Sequence, residues 1–397
     1  MRRPGALIAG EQAIRVAVLC DFREEQWPSM DLVGDMLWRH LSEYCYESVT
    51  ATQLVPRLRK RFQYIPFLPM KVAQNADRLI NRLSDYPAWL GERQSQYDLF
   101  HLVDHSYGQL LRGLPSHRTV VTCHDLDTFR CLLDPEREKR PRWFRAMTRR
   151  ILEGFRQAAH VIAVSNATRN EILRYGLFPP ERINVIPNGV HPLYSPSPNS
   201  FWDQKAAELM PVPGVDTPWL LSVGNTLPRK RLDVLLRVFA AVHRNVAGIR
   251  LVRVGGFTPE QLRLAGELGV EHAVLNLPFL KRELLAAVYR RATLLLHTAE
   301  AEGFGLPLIE AMACGCPVVA SDLPVLREVG GTAASYCSVG EVESWERTVA
   351  GLLMERTRSL DAWEIRRQQG RTHSARFSWA ENARQTVLVY QNILEGR

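Results

Sequence analysis

The sequence predicts an α/β protein of two doubly wound domains, each a parallel sheet with helices on both faces. Three observations predict this architecture. Apolar runs of strand length alternate with helical patterns, a Pro/Ser-rich segment at 191–200 interrupts the alternation once, and 397 residues suffice for two separate cores. Regular alternation of strand and helix implies parallel strands, because each helix carries the chain back to the same end of the sheet.

The first half of the chain contains the elements of the predicted first domain. Apolar runs predict strands at 14–20, 99–103, 119–123, 160–164 and 183–186, and helical patterns predict helices at 30–41 and 141–159. Ser165 or Asn166 suits the N-cap of a further helix. Since the Pro/Ser-rich segment follows, we place the first domain at residues 1–192.

The alternation restarts after that segment and predicts a second domain at 193–378. Strands are expected at 219–223, 250–254, 275–277, 294–297 and 317–321, with helical patterns between them. A last amphipathic helix, at about 380–394, has Val387, Tyr390 and Ile393 on one side. Parallel sheets of this kind bind ligands at the carboxyl ends of their strands. The sequence therefore predicts an active site in a cleft where the two domains face each other.

Composition fits an ordinary water-soluble α/β protein with a basic first half. The net charge is +8; residues 1–190 hold 27 Lys/Arg against 21 Asp/Glu, which gives +6. Seven cysteines without a CxxC pair favour reduced thiols and a cytoplasmic setting. The apolar stretch after Met1 is too short for a signal peptide and ends at Glu11. No run approaches the roughly 18 apolar residues of a spanning helix.

The most informative segment is 301–310, which reads Ala-Glu-Gly-Phe-Gly-Leu-Pro-Leu-Ile-Glu. It follows a predicted strand and leads into a short helix that begins near Pro307. The glycines permit close approach of a ligand, and the amides at the helix start favour an anion. Glu302 and Glu310 are suitable acceptors for sugar hydroxyls. The pattern predicts a site for a phosphorylated sugar, although an ordinary capped crossover explains the same spacing.

Two further strand ends carry candidate residues. Arg229 and Lys230 follow the glycine turn at Gly224 and precede a predicted helix. Bases at a helix N-terminus oppose the helix dipole, so a role in binding a diphosphate is the favoured interpretation. His124 follows the strand at 119–123 and suits general acid–base work, although a histidine there is more often a surface residue. Asp125 and Asp127 form a weak DxD match. We expect no metal.

The segment Arg137–Arg150 holds seven bases and one acid, interleaved with apolar residues that include Trp143 and Phe144. Two interpretations are open for this segment. It is either a basic amphipathic helix at an anionic membrane surface or an ordinary helix with one face in the core. Nucleic acid binding is disfavoured, because the sequence contains no recognised nucleic-acid-binding module.

Together these motifs resemble the family 4 retaining glycosyltransferases, which have the GT-B architecture of two Rossmann-like domains. The specific resemblance is in 302–315 with 317–321 and in 222–224 with 228–230. Weaker matches lie at 124–125, 164–165, 186–190 and 377–379. Some members carry a base directly after the position of Gly224, where this chain has Asn225. The resemblance covers nearly the whole chain and implies that the last helix, from about residue 379 to 397, completes the first domain.

The resemblance also implies a role for each candidate residue. Glu310 would hold the ribose hydroxyls of the donor and Glu302 the hydroxyls of the donor sugar. His124 would contact that sugar near the reacting carbon, which makes His124 and Glu302 the expected catalytic residues. The remaining substrate-binding positions are those of the clamp and the glycine loop: Arg229, Lys230, Gly303, Phe304, Gly305 and Leu306.

The implied activity is a metal-independent transfer of a hexose, with retention, from a nucleotide-diphosphate sugar such as GDP-mannose or a UDP-sugar. No cofactor is expected beyond the donor itself. The acceptor would be a glycan or a lipid-linked sugar bound by the first domain, in the cytoplasm or on the inner face of the membrane. Two alternatives use the same scaffold: a sugar-nucleotide epimerase or phosphorylase, and a catalytically silent sugar-nucleotide-binding protein.

Overall fold

The computed structural model describes residues 13–211 and 217–396. The apolar stretch after Met1, which was considered as a signal peptide, lies outside the described residues. The chain up to Gly189, together with the chain from Trp379 onward, forms one compact unit, and Val190–Ser378 forms the second. The structure therefore divides the chain after Gly189, a few residues before the boundary that we predicted after residue 192.

The first unit contains a six-stranded parallel sheet in the order β2-β1-β3-β4-β5-β6. Its strands are β1 (Ile14–Leu19), β2 (Val49–Leu54), β3 (Leu99–Leu102), β4 (Thr119–Cys123), β5 (His160–Ala163) and β6 (Ile183–Val185). The helices that surround it are α1 (Pro28–Tyr44), α2 (Met70–Ile80), α3 (Tyr86–Gly91), α4 (Arg130–Leu133), α5 (Arg142–Phe155) and α6 (Asn166–Arg174).

Alternate residues of β1 enter two different hydrophobic cores. Val16 and Val18 pack on one face of the sheet, whereas Ala17 and Leu19 pack on the other. Successive side chains of a strand point to opposite faces, so both faces of this sheet must be covered by helices. That arrangement explains the continuous apolar strands and confirms the predicted doubly wound sheet.

The second unit has its own six-stranded parallel sheet, in the order β12-β11-β10-β7-β8-β9. Its strands are β7 (Trp219–Val223), β8 (Arg250–Val254), β9 (Val274–Leu277), β10 (Leu294–His297), β11 (Val318–Ser321) and β12 (Ala334–Cys337). Its helices are α7 (Ser200–Leu209), α8 (Leu232–Asn245), α9 (Pro259–Glu267), α10 (Arg282–Arg291), α11 (Leu306–Ala313), α12 (Pro324–Gly330), α13 (Val342–Arg358) and α14 (Leu360–Ser374).

The last helix, α15 (Trp379–Leu394), packs on the first unit. A Cβ atom at Gly189 would lie 2.3 Å from the backbone nitrogen of Trp379, so only glycine allows this close approach. The Asn382 side chain donates a 2.8 Å hydrogen bond to the Pro187 carbonyl. Further along the helix, the Tyr390 hydroxyl lies 2.6 Å from Nδ1 of His101 on β3.

Residues 142–150 of the basic segment form the first part of α5, and the structure favours the core interpretation of this helix. Ile151, Leu152 and Phe155 on this helix are buried in the hydrophobic core beneath the sheet. Trp143, near its first turn, is exposed. Because the C-terminal half of its apolar face is packed in the core, α5 is not a free amphipathic helix. Among the described helices, none is both long and apolar enough to cross a bilayer.

Candidate active site

A buried arginine organises the glycine turns at the edge of the second sheet. Arg253 on β8 is 1% exposed. Its Nη2 group donates to the carbonyls of Gly224 and Asn225 at 2.7 and 2.8 Å, and its Nε donates to the Gly256 carbonyl at 3.1 Å. Gly224 has a φ of +142°, a conformation that suits glycine. Arg253 therefore fixes the turn that follows β7.

Beside this turn lies a small open pocket, lined by side chains from the ends of β7, β8 and β10. The lining includes Asn225, Lys230, Arg253, His297 and Thr298. Arg253 makes its hydrogen bonds to carbonyl oxygens, and burial lowers its pKa to about 10, so it stays cationic at neutral pH. Two cationic side chains at the edge of a parallel sheet favour an anionic ligand.

Glu302 lies at the centre of an ionic cluster. Its Oε1 forms an ion pair with Nζ of Lys230 and accepts a 2.7 Å hydrogen bond from Nε2 of His297. Its Oε2 lies 3.8 Å from Nη1 of Arg229. Burial opposes the charged carboxylate, but Lys230, His297 and Arg229 together hold the pKa of Glu302 well below its usual range. Glu302 is therefore ionised throughout the physiological pH range.

The bases and the acid that the sequence assigned to separate duties are thus direct partners. The backbone holds them in place: the Glu300 amide donates to the Arg229 carbonyl at 2.8 Å, and the Thr298 hydroxyl donates to the Lys230 carbonyl at 3.0 Å. These bonds join the loop after β10 to the turn Pro228–Lys230 that precedes α8. The loop and the clamp therefore form one rigid assembly.

The glycine loop leads directly into α11. Gly305 is the N-cap of this helix with a φ of +96°, and a Cβ there would lie 2.9 Å from Cδ2 of Leu326. Leu306 is the first helical residue, and the Phe304 ring packs edge-on against Phe377 at 5.8 Å. The amides at the start of α11 are oriented as a helix N-terminus requires, which favours negative charge nearby.

Glu310 lies within α11, and its surroundings differ from those of Glu302. It is 6% exposed, and its Oε2 accepts a 3.0 Å hydrogen bond from the Tyr289 hydroxyl on α10. Burial raises the pKa of Glu310 to about 7. A carboxylate with one satisfied oxygen and a destabilised charge is suited to accept hydrogen bonds from hydroxyl groups of a ligand.

In the first unit, His124 directly follows β4 and is nearly buried. Its Nε2 lies 2.8 Å from the Val103 carbonyl. Burial lowers the pKa of His124, although Asp104 partly offsets this. The ring is therefore neutral at pH 7, with the proton on Nε2, because a carbonyl can only accept a hydrogen bond. That tautomer makes Nδ1 an acceptor.

A buried pair of acids lies in the same unit and was missed by the sequence analysis. Asp21 follows β1 and Asp104 follows β3, two neighbouring strands of the sheet. Burial, and then the charge of Asp104, raise the pKa of Asp21 well above its ordinary value. Asp104 accepts hydrogen bonds from the amide and hydroxyl of Ser106 at 2.8 and 2.6 Å. We therefore assign the proton of the pair to Asp21.

The DxD match adopts a local turn. The Asp127 amide donates a 3.0 Å hydrogen bond to Oδ1 of Asp125, a short-range contact that aspartate often makes. Within residues 13–211 and 217–396, no group of three or more His, Cys, Asp or Glu side chains is placed to hold a metal ion. Metal independence stays a prediction.

Two family models match the chain in adjoining regions. The model of the group 1 glycosyl transferases matches residues 211–369, and that of glycosyltransferase family 4 matches residues 35–192. The two matches follow one another along the chain and include the clamp, the glycine loop and His124. The chain belongs to the group 1, family 4 glycosyltransferases. It is an enzyme of the glycosyltransferase class, which favours sugar transfer over the alternative of a catalytically silent scaffold.

Two curated bacterial enzymes are similar to this glycosyltransferase. It is 28% identical over 283 residues to the O-antigen chain mannosyltransferase B of Escherichia coli, a match that covers 69% of this chain and 70% of the relative. It is 32% identical over 254 residues to the D-inositol 3-phosphate glycosyltransferase of Segniliparus rotundus, which covers 60% of this chain and 54% of the relative. The matched region thus spans only about half the length of the latter enzyme.

Solved structures show the same fold over almost the whole glycosyltransferase. Sucrose-phosphate synthase from Thermosynechococcus elongatus aligns with a TM-score of 0.73 at 20% identity, covering 97% of this chain and 100% of that one. The Anabaena protein HepE, in complex with UDP and glucose, aligns with a TM-score of 0.70 at 18% identity, covering 96% and 100%. These likenesses confirm the predicted GT-B fold.

Proposed function

We propose that this glycosyltransferase moves a hexose, with retention, from a nucleotide-diphosphate sugar to a glycan or lipid-linked acceptor. The observation that carries the proposal is the cluster of Glu302, Lys230, Arg229 and His297 beside a cationic pocket at the sheet edge. Such a pocket suits a diphosphate, and the adjacent carboxylate suits the hydroxyls of the sugar that the diphosphate carries.

Leaving-group stabilisation is the main catalytic demand of this reaction. Cleavage of the sugar–phosphate bond produces an oxocarbenium-like sugar and a diphosphate anion. Lys230 and Arg229, with Arg253 behind them, would neutralise that anion without reorganisation, because the backbone bonds of the turn already hold them. Removal of one preorganised donor typically raises the barrier by about 3–4 kcal/mol.

Retention requires either a protein nucleophile or attack of the acceptor on the face from which the diphosphate leaves. Glu302 is held in an ion pair with Lys230 and accepts from His297, which reduces its nucleophilicity. This favours attack on the same face, with the departing phosphate accepting the proton of the acceptor hydroxyl. His124, neutral with Nδ1 as an acceptor, would orient a hydroxyl of the donor sugar near the reacting carbon.

Glu310 would bind the ribose of the donor nucleotide through its free acceptor capacity. The names of the relatives support a mannosyl or related hexosyl donor, so GDP-mannose and UDP-sugars are the first donors to test. We further propose that the basic first unit contacts an anionic membrane, where a lipid-linked acceptor would lie.

A donor panel tests the proposal. The protein is incubated with GDP-, UDP- and ADP-sugars, and release of nucleoside diphosphate and of sugar is measured. We expect turnover of one donor class. Lys230→Met should lower kcat for that donor by about 100-fold or more, whereas Lys205→Met, at an exposed site on α7, should leave it within twofold.

Binding measurements separate the roles of the other residues. Glu310→Ala should weaken nucleoside diphosphate binding, and His124→Ala should lower turnover with binding retained. Turnover of no donor in the panel, or parent-level transfer by the Lys230→Met variant, would contradict the proposed function.

A further inference from the structure

An exposed apolar segment of the first unit, residues 62–72, follows β2 and includes the first turn of α2; we call it the apolar loop. Phe67 is 102% exposed and Tyr64 is 76% exposed, and Ile65, Met70 and Val72 are also exposed. Isolated apolar side chains at a surface are ordinary, but a contiguous group marks an interaction site. This loop therefore requires an explanation other than the folding of its own unit.

The tip of the loop is a turn in which the residue choice opposes the backbone. The Leu68 amide donates a 3.4 Å hydrogen bond to the Ile65 carbonyl, Pro66 occupies the second position, and Phe67 has a φ of +66°. This is the pattern of a type II turn, whose third position favours glycine or asparagine. Instead the chain places a phenylalanine there and directs its ring fully into solvent. Strain at such a position points to a function for the side chain.

Hydrogen bonds to α2 and to Asn81 hold the base of the loop in place, so the apolar side chains at its tip have a defined position at the surface. Asp77 on α2 is buried and accepts hydrogen bonds from the amides of Arg61 and Phe62 at 2.8 and 3.1 Å. Asn81 exchanges hydrogen bonds of 2.7 and 2.8 Å with the backbone of Arg59. A fixed base keeps the apolar side chains together and reduces the entropy that would be lost on binding.

The stretch of sequence that contains the loop carries charges of one sign, and the nearby acids Asp77 and Asp85 lie at the base of the loop, where they contact Arg61. Residues 48–76 contain five bases and no acid: Arg57, Arg59, Lys60, Arg61 and Lys71. All five are exposed, although Arg61 is paired with Asp85. Apolar and aromatic side chains surrounded by bases match the interface of an anionic bilayer, where the rings enter the headgroup region and the bases meet lipid phosphates.

We propose that the apolar loop docks the first unit on an anionic lipid surface. This assigns the membrane contact to residues 62–72 and not to α5, whose apolar face is occupied by the core. The proposal deepens the membrane contact of the proposed function. Because lipid binding needs neither donor nor acceptor, it is tested separately from sugar transfer.

Vesicle cosedimentation of the full chain is the test. Vesicles of phosphatidylglycerol and phosphatidylcholine in equal parts should bind the protein, and vesicles of phosphatidylcholine alone should bind it much more weakly. Phe67→Asn should lower partitioning onto the anionic vesicles about tenfold, since it removes a ring that would be buried in lipid. Lys60→Gln should lower it about fivefold, as expected for one base near the surface.

The choice of asparagine keeps the test independent of folding. Asparagine suits the left-handed turn, so Phe67→Asn should leave the melting temperature unchanged or raise it. Phe201→Asn, at an exposed phenylalanine on α7, is the matched control and should keep parent-level vesicle binding. Binding that ignores phosphatidylglycerol, or that survives Phe67→Asn, would overturn the proposal. The proposal would also be overturned if the parent bound no vesicles and formed a dimer that Phe67→Asn converts to a monomer.

Discussion

Glu310→Gln should stabilise the protein at alkaline pH while it weakens nucleotide binding. Glu310 is buried, and its Oε2 accepts a hydrogen bond from Tyr289. Glutamine has nearly the same shape and retains an oxygen that can accept that bond. The substitution therefore removes the charge with little change in packing, and the change in stability reports the cost of keeping an ionised carboxylate at this site.

The magnitude follows from the pKa of Glu310, which burial raises from 4.5 to about 7. Each pKa unit corresponds to about 1.4 kcal/mol, so the shift of about 2.5 units amounts to at most about 3.5 kcal/mol. The sign follows from linkage. Because the folded pKa is raised, the stabilisation is fully present below pH 4.5 and is lost as the pH rises through about 7. Glutamine does not titrate, so the variant avoids this loss.

Urea unfolding at pH 5 and pH 8 measures the effect. The free energy of unfolding of Glu310→Gln, relative to the parent, should rise by about 2–3 kcal/mol between these two pH values. Calorimetry at pH 8 should show weaker nucleoside diphosphate binding by the same variant. Glu267→Gln, at an exposed site on α9, should show neither change. A difference between parent and variant that is independent of pH would refute the reasoning.

Three further substitutions test the other parts of the site. Arg253→Met leaves the carbonyls of Gly224 and Asn225 without their donor. The free energy of unfolding, measured by thermal melting, should therefore fall by at least about 3 kcal/mol. An Arg253→Lys variant with the parent's stability would contradict this geometry. His124→Ala should lower kcat by about 100-fold or more in steady-state kinetics, with the nucleotide dissociation constant within twofold of the parent. Gly305→Ala adds a side chain at a φ of +96° and close to Leu326; it should cost about 1–2 kcal/mol in urea unfolding and weaken donor binding, and an unchanged midpoint would be inconsistent with this account.

Much of the fold could be predicted because parallel strands buried on both faces are continuous apolar runs. The runs at 119–123 and 294–297 coincide with β4 and β10. The sequence did not predict β2, Val49–Leu54, because this strand alternates polar and apolar residues. It is an edge strand and pairs with β1 alone. Local periodicity identifies central strands more readily than edge strands.

The motif residues of the site could be named from the sequence, but their partners could not. Glu302 and Lys230 are 72 positions apart, so only the sheet order, which puts β10 beside β7, brings them together. Arg253 lies within a strand and resembles any base in a strand until its carbonyl partners are known. Asp21 gives no local signal, since its unusual proton affinity comes from burial and then from Asp104, far along the chain.

The stereochemistry of the product tests the central claim most directly. The parent enzyme is incubated with an α-linked donor, such as GDP-mannose or UDP-glucose, and an oligosaccharide or lipid-linked acceptor, and the anomeric proton of the new linkage is observed by NMR. We predict a single α-linked product that the Lys230→Met variant forms at least about 100-fold more slowly. A β-linked product, or an α-linked product formed equally fast by that variant, would contradict retention through a diphosphate held by this clamp.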